Sequence, residues 1–334
     1  MKLRTQFGMT LIELMVALAI GTFLMLGAFT VFMQSRATFR VTESLSRLQE
    51  NGRLALAMLE PEIRMAHYWG LTNLTSNISN RARPSAANGP GPDNCGNNWT
   101  INLDEAVDGS NNSYGFACAG FAPVETNSDT LIVRRAGEDV ETPPLTGANT
   151  MRIQSVRGAA SSEIFVGTTI PGGFTAATSE THRLFVNGYY VSRTSQVTTT
   201  VPGVGTLQVP SLRVRTLLAN GNVDIQELVP GIEDLQVQFG VDTDAPGTVD
   251  RGSIDRYVNV NDPMIDPTNA GFNPNAEVLA VRVWVRVRAE RVERGFQDTA
   301  TYVYADQNVG PFNDGFRRVV VSKTVYLRNA RPSS

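Results

Sequence analysis

The hydrophobic pattern changes its period twice along the chain. From Leu14 to Met33 there are twenty residues without a charge, and most of them are apolar. Such a run has no polar face. As a helix it spans roughly 30 Å, the thickness of a bilayer core. From Arg36 to Ala66 the pattern becomes amphipathic. Phe39, Leu45, Leu48, Leu59 and Ile63 recur mostly at spacings of three and four, with Ala55 and Leu56 filling the middle. Arg40, Glu43, Arg47, Glu50 and Arg53 lie largely off that stripe. The pattern predicts one helix, which is about 87 Å long if it is continuous from Met9 to Ala66. Gly52 weakens its middle, and Pro61 is expected to kink it or to begin a new segment.

Between Gly70 and Pro123 periodicity gives way to Asn, Gly, Ser and Pro, which predicts long surface loops. After them the period is two. Strands are predicted at 129–135, 151–156, 162–167 and 183–193. Asn187-Gly188 inside the last of these is either a hairpin turn or a bulge in one strand. Strands at 207–218 and 222–229 flank the turn Ala219-Asn220-Gly221. In 230–244, Leu235, Val237, Phe239 and Val241 take one face and Gln236 and Gln238 the other. In 278–290, Val281, Val283, Val285 and Val287 oppose Arg282, Trp284, Arg286 and Arg288. The segment 316–329 is a last strand pair or one long bent strand. The fold class is therefore α+β, a long N-terminal helix packed on an antiparallel sheet, with extended loops.

Composition narrows the chemistry. The 334 residues carry 29 basic and 32 acidic side chains, a formal charge of -3, which gives little support to a broad nucleic-acid-binding face. Two cysteines and two histidines exclude a Cys-rich zinc module and a multi-histidine centre. His67 and His182 have no nucleophile pattern near them, and neither GxxxxGK[ST] nor a GxGxxG after a strand occurs. No catalytic constellation and no cofactor are expected. Asp242, Asp244 and Asp250 offer oxygen ligands of the kind calcium takes, but their spacing is not that of an EF-hand loop. An exposed polar loop is the reading there, with no metal ligand assigned. The Arg282, Arg286 and Arg288 face, with Trp284 covering aliphatic stems, reads as a solvated face or partner contact rather than a DNA surface.

Lys2 and Arg4 precede the apolar run, which places its N-terminus in the cytoplasm and the following chain outside the inner membrane. The run is longer than the core of a cleaved signal peptide, and no A-x-A site follows it. Glu13 interrupts its start, where a carboxylate is costly without a partner. Gly8 followed by MTLIEL resembles the class III signal of type IV prepilins. The resemblance implies that a membrane-embedded prepilin peptidase cuts between Gly8 and Met9 and methylates the new N-terminus at Met9. Glu13 would then meet the free ammonium of a neighbouring subunit and set the axial register. Where major pilins often carry Phe and a helix-breaking proline, this chain has Met9 and Thr30. That departure fits a minor pilin or pseudopilin better.

The outside compartment is oxidising, so Cys95 and Cys118 are expected to form a disulfide; two free structural cysteines are the alternative, and the absence of CxxC argues against a redox site. Three further segments resemble the PilW family of type IV pilus assembly proteins: Glu50-Asn51-Gly52-Arg53, the GIEDLQVQFGVD run from Gly231 to Asp242, and the closing strand ending in Leu327-Arg328-Asn329. The resemblance implies a leader at 1–8, a transmembrane and filament-core helix at 9–33, its amphipathic continuation at 34–66, and a globular periplasmic head at 67–330. It implies a minor pilin acting in the initiation of pilus assembly, first in the inner membrane and then in the pilus. Its implied partners are the prepilin peptidase, other minor pilins, the major pilin, the pilus assembly platform and membrane lipid. A type II secretion pseudopilin and a pilus-tip adhesin or DNA-binding module are the alternatives.

Overall fold

The computed structural model describes residues 10–81, 102–121, 123–157, 161–175, 177–201 and 205–330. One helix, α1, runs Leu11–Met65 and contains Pro61 without a break. Pro61 sits on the exposed side, where a carbonyl left without its N–H donor meets water. The chain divides into two compact units, Met1–Arg47 and Leu48–Ser334. In the first, the side chains of Leu11, Phe23, Met25, Leu26 and Phe29 are all exposed. The helix there is long and apolar enough to cross a membrane. Its few polar groups are satisfied locally: the Thr22 hydroxyl donates to the Ala19 carbonyl at 2.9 Å and that of Thr30 to Gly27 at 2.8 Å.

In the second unit the strands are β1 (Ile78–Ser79), β2 (Val107–Ser110), β3 (Thr130–Glu141), β4 (Met151–Val156), β5 (Ser162–Val166) and β6 (Ser179–Ser192). There follow β7 (Thr198–Val201), β8 (Gly205–Gln208), β9 (Ser211–Leu217), β10 (Val223–Pro230) and β11 (Ile232–Asp242). The last are β12 (Arg256–Asn259), β13 (Glu277–Arg288), β14 (Tyr302–Tyr304), β15 (Gln307–Val309) and β16 (Arg318–Tyr326). One sheet has the order β1-β5-β4-β6-β3-β2, with β9 also on β6 and β10 on β9; a second has the order β12-β11-β13-β16. Apart from the parallel β1–β5 pair, the ladders are antiparallel. The α+β arrangement is therefore the one the patterning predicts.

Strand β6 organises the first sheet. Its residues 179–183 pair with β4 and its residues 187–192 with β9 along one edge, while β3 takes the other. Asn187-Gly188 is thus neither a hairpin nor a bulge. A Cβ on Gly188 would lie 2.4 Å from Cζ of Phe116, so the glycine makes room for a ring from a distant loop. The closing segment is likewise one strand, β16. The Gly70–Pro123 region is less loop-like than predicted: β2 lies in it, and Leu103 and Ala106 are buried.

The core lies between α1 and the second sheet. Leu48, Ala55, Leu56, Leu59 and Ile63 are buried, as are Leu235, Val237, Phe239, Val241, Val281, Val283, Val285 and Val287. Gly52 lets the two layers approach, because a Cβ there would meet Cγ2 of Val321 at 2.6 Å and Cγ2 of Val287 at 3.1 Å. Polar contacts fix the helix at its sides. Asn51 donates to the Pro230 carbonyl at 3.2 Å, and Glu62 accepts from Arg135 at 2.8 and 3.0 Å and from Asn187 at 3.0 Å. The two sheets are joined at Ser128-Asp129. The Asp129 N–H donates to the Leu235 carbonyl, and the Asp129 carboxylate accepts the N–H groups of Asn112 and Val237, each at 2.7 Å.

Candidate assembly surfaces

Gly8 and Met9 lie outside the described residues. Thr10 and Glu13 open the helix as a capping box. The Thr10 N–H and hydroxyl donate to Oε2 of Glu13 at 2.9 and 2.8 Å, and the Glu13 N–H reaches back to the Thr10 hydroxyl at 3.4 Å. Among the described residues, Oε1 of Glu13 takes no hydrogen bond. The T-x-x-E spacing that makes this cap is legible in the sequence.

On α1 between 48 and 65 a second apolar row runs opposite the buried one. Leu54 is 44% exposed and Met58 38%, and Ala57 and Pro61 are exposed beside them. The spacing of three and four puts these residues on one strip facing solvent. An ordinary head helix needs one apolar stripe to hold its sheet; this one carries two.

The outer face of the second sheet holds a charged cluster that alternation did not reveal. The register of β11 on β13 slips between Ile232 and Asp234, so Glu233 is the extra residue of a bulge and stands with Asp234 on the outer face. Glu233 accepts from Arg286 at 3.1 Å and from Arg318 at 2.7 and 3.1 Å. Arg318 also binds Asp298 at 2.9 Å and both oxygens of Asp314 at 2.8 Å. Arg286 donates to the Tyr304 hydroxyl at 2.6 Å, and that hydroxyl donates to Asp234 at 2.5 Å. Phe312 stacks on the Arg318 guanidinium at 3.9 Å. The segment 289–317, with its β14–β15 hairpin, is thus fastened over the sheet. At the hairpin tip, Asp306 accepts from Asn111, Asn112 and Asn259 at 2.9–3.1 Å. Burial pushes the Asp234 carboxyl above its usual range, with Arg286 and Tyr304 opposing it. Arg318 is held well above its ordinary value by Asp314 and Glu233, against its own burial.

This cluster corrects the reading of the arginine face. Arg286 and Arg288 are held by Glu233, and Arg288 also donates to the Gln208 carbonyl at 2.7 Å. Arg282 stacks on Tyr257, 3.5 Å from its centroid, and bonds the Thr324 hydroxyl at 3.1 Å. Tyr257 is therefore closer to Arg282 than Trp284, whose ring is 5.8 Å away. The face is an internal clasp rather than a solvated one, and Gln236 on the same side is fully buried. Asp242 and Asp244 come together with Asp255, and Asp250 also stands against Asp244. The Asp242 carboxylate accepts the N–H groups of Asp244 and Gly252, and that of Asp255 accepts the N–H and hydroxyl of Thr243. These bonds close the 242–255 loop, as Asp in turn positions does. His67 follows the helix at φ 64°, and burial lowers it to about 4. His182 is buried, bonded to the Gly137 carbonyl at 2.9 Å. Cys118 lies in the described loop, and Cys95 falls outside the described residues.

An apolar helix opened by a carboxylate, continuing into a helix that carries a β-rich head, is the build of a prepilin-type chain. Comparison agrees: residues 3–29 match the prokaryotic N-terminal methylation motif. Residues 188–329 match the type IV pilus-assembly protein W family. The matched region runs from within β6 past β16 and includes the whole charged clasp. The chain matches no curated protein and no solved structure.

Proposed function

We propose that this chain is a minor pilin that helps to initiate type IV pilus assembly. The observation that supports it most is the pairing of Glu13 with an apolar helix bearing a methylation motif. In this reading the leader 1–8 is cut between Gly8 and Met9 by the prepilin peptidase, and Met9 is methylated. Residues 9–33 hold the chain in the inner membrane, residues 34–66 continue the helix, and 67–330 form a periplasmic head. The Oε1 atom of Glu13, left over by the Thr10 cap, accepts the Met9 ammonium of a neighbouring subunit. That pairing neutralises a carboxylate in lipid and fixes axial register.

Packing in lipid has no hydrophobic drive, so shape and this ion pair carry it there. Above the membrane, the Leu54, Ala57, Met58 and Pro61 strip gives the helix an apolar face for the helices of other minor pilins and the major pilin. The assembly platform then adds subunits from below. The chain's own role is structural, without catalysis or cofactor. Cys95 and Cys118 form a disulfide in the oxidising periplasm. Mass analysis of the mature N-terminus, with and without the peptidase, tests the reading. N-methylated Met9 is expected only with the peptidase, and an uncut leader in piliated cells would overturn it. Glu13→Gln should leave cleavage intact and abolish incorporation into pili.

A further inference from the structure

Strand β16 is the last in its sheet and pairs only with β13 among the described residues. The Leu327 N–H bonds the Leu279 carbonyl and the Ala289 N–H bonds the Arg317 carbonyl. The odd-numbered residues of β16 therefore point their backbone groups at β13. By alternation, Val320, Ser322, Thr324 and Tyr326 turn theirs outward. Among the described residues, no backbone or side-chain group bonds these outward N–H and C=O groups. Natural sheets blunt such an edge with short strands, bulges, proline or a free charge. This one has nine residues, an unbroken register on β13 and no proline, and its one lysine, Lys323, is tied to Glu60.

The flank of this edge is basic. Glu60 marks the side of α1 that faces β16, since it holds Lys323 there. Arg53 and Arg64 lie on the same side by helical phase, and Arg64 shares Glu60. Arg328 is exposed just past the strand. Four cations thus stand against one carboxylate, and Arg53 and Arg328 have no side-chain ion pair among the described residues. Of the nine residues of β16, Val319, Val320, Val321, Thr324 and Val325 are types that favour an added strand.

We propose that the β16 edge is a docking site for an extended, acidic segment of a partner protein, added as a fifth strand antiparallel or parallel to β16. Main-chain bonds to residues 320–326 give affinity, and the basic flank selects carboxylates. The site goes beyond helix-mediated assembly and does not depend on leader cleavage, so its failure and the failure of that reading are distinguishable.

The test uses the full chain in detergent and a fluorescent nine-residue probe peptide of alternating valine and glutamate or threonine. Saturable binding is expected, weakened by added salt, and absent for the same peptide with lysine in place of glutamate. Ser322→Pro removes one outward N–H while leaving the β13 ladder, and should reduce binding at least about ten-fold. Should that variant unfold, Arg53→Glu with Arg328→Glu carries the test, because both side chains are exposed; it should weaken binding by a similar factor. The proposal is overturned if the acidic peptide fails to bind. It is equally overturned if folded Ser322→Pro or the double variant binds it as well as wild type, or if the chain alone forms a dimer that Ser322→Pro dissociates, which would make a second copy the occupant.

Discussion

Gly52 offers a test in which two effects of known size have opposite signs. Replacing it with alanine in an isolated helix would stabilise by about 1 kcal/mol. In this fold the new Cβ would sit 2.6 Å from Cγ2 of Val321 and 3.1 Å from Cγ2 of Val287. Carbon atoms pack at about 3.5–4.0 Å, so helix and sheet must part by roughly an ångström. Valine has no flexible end that could swing aside, and overpacking of this kind costs about 1–3 kcal/mol. Gly52→Ala should therefore destabilise the head by up to about 2 kcal/mol despite the better helix former. Val321→Ala removes the worst contact. In that background Gly52→Ala should change sign and stabilise by about 0.5–1 kcal/mol. Denaturant unfolding of the full chain in detergent, followed through the buried Trp69, measures all four corners of the cycle. If Gly52→Ala stabilises the wild-type background, or if the two substitutions add without coupling, the close approach of α1 to β16 is wrong.

Three further outcomes follow from the geometry. Arg318→Met leaves Glu233, Asp298 and Asp314 without their shared cation, and removing one partner of such a buried set costs about 3–5 kcal/mol. Trypsin should then cut first at Arg291 or Arg294 in the loosened segment, and wild-type resistance there would refute the clasp. His67, lowered to about 4 by burial, is neutral in the fold and takes up a proton more readily when unfolded. Its contribution is complete above its unfolded value near 6.5 and is lost as pH falls from there through about 4. Partial exposure limits the loss to roughly 2 kcal/mol. His67→Gln should flatten that part of the thermal-stability profile, whereas Asp129, raised to about 7 chiefly by burial, acts in the opposite direction and is unaffected by the substitution. Thr10→Ala should fray the first helical turn, costing about 1 kcal/mol of local stability by hydrogen exchange, without altering the head.

What the sequence revealed and what it hid divide along one physical line. The helix and the β13 ladder are written in local periods, because each residue's face is decided by its near neighbours. Asn187-Gly188 has the local chemistry of a turn, yet the glycine answers to the Phe116 ring, which reaches it from a loop far away in the chain. The arginine row of β13 alternates as a solvated face would, and nothing within that strand announces that 289–317 returns to cover it. One signal was present. Glu233 and Asp234 are adjacent, and in a regular strand adjacent residues face opposite sides, so one of them would have pointed into the valine core. A carboxylate there without a partner would cost several kcal/mol. A bulge resolves the conflict by turning both outward, where Arg286 and Arg318 meet them. The same reasoning predicts that deleting Glu233 takes only the extra residue out of β11: Asp234 stays opposite Arg286 and Ile232 stays opposite Val287 on the core face, now in a regular ladder. The shortened chain should therefore still fold and lose about as much stability as Glu233→Gln, through the ion pairs to Arg286 and Arg318, and failure of the deletion to fold in denaturant titrations where Glu233→Gln folds would refute the bulge.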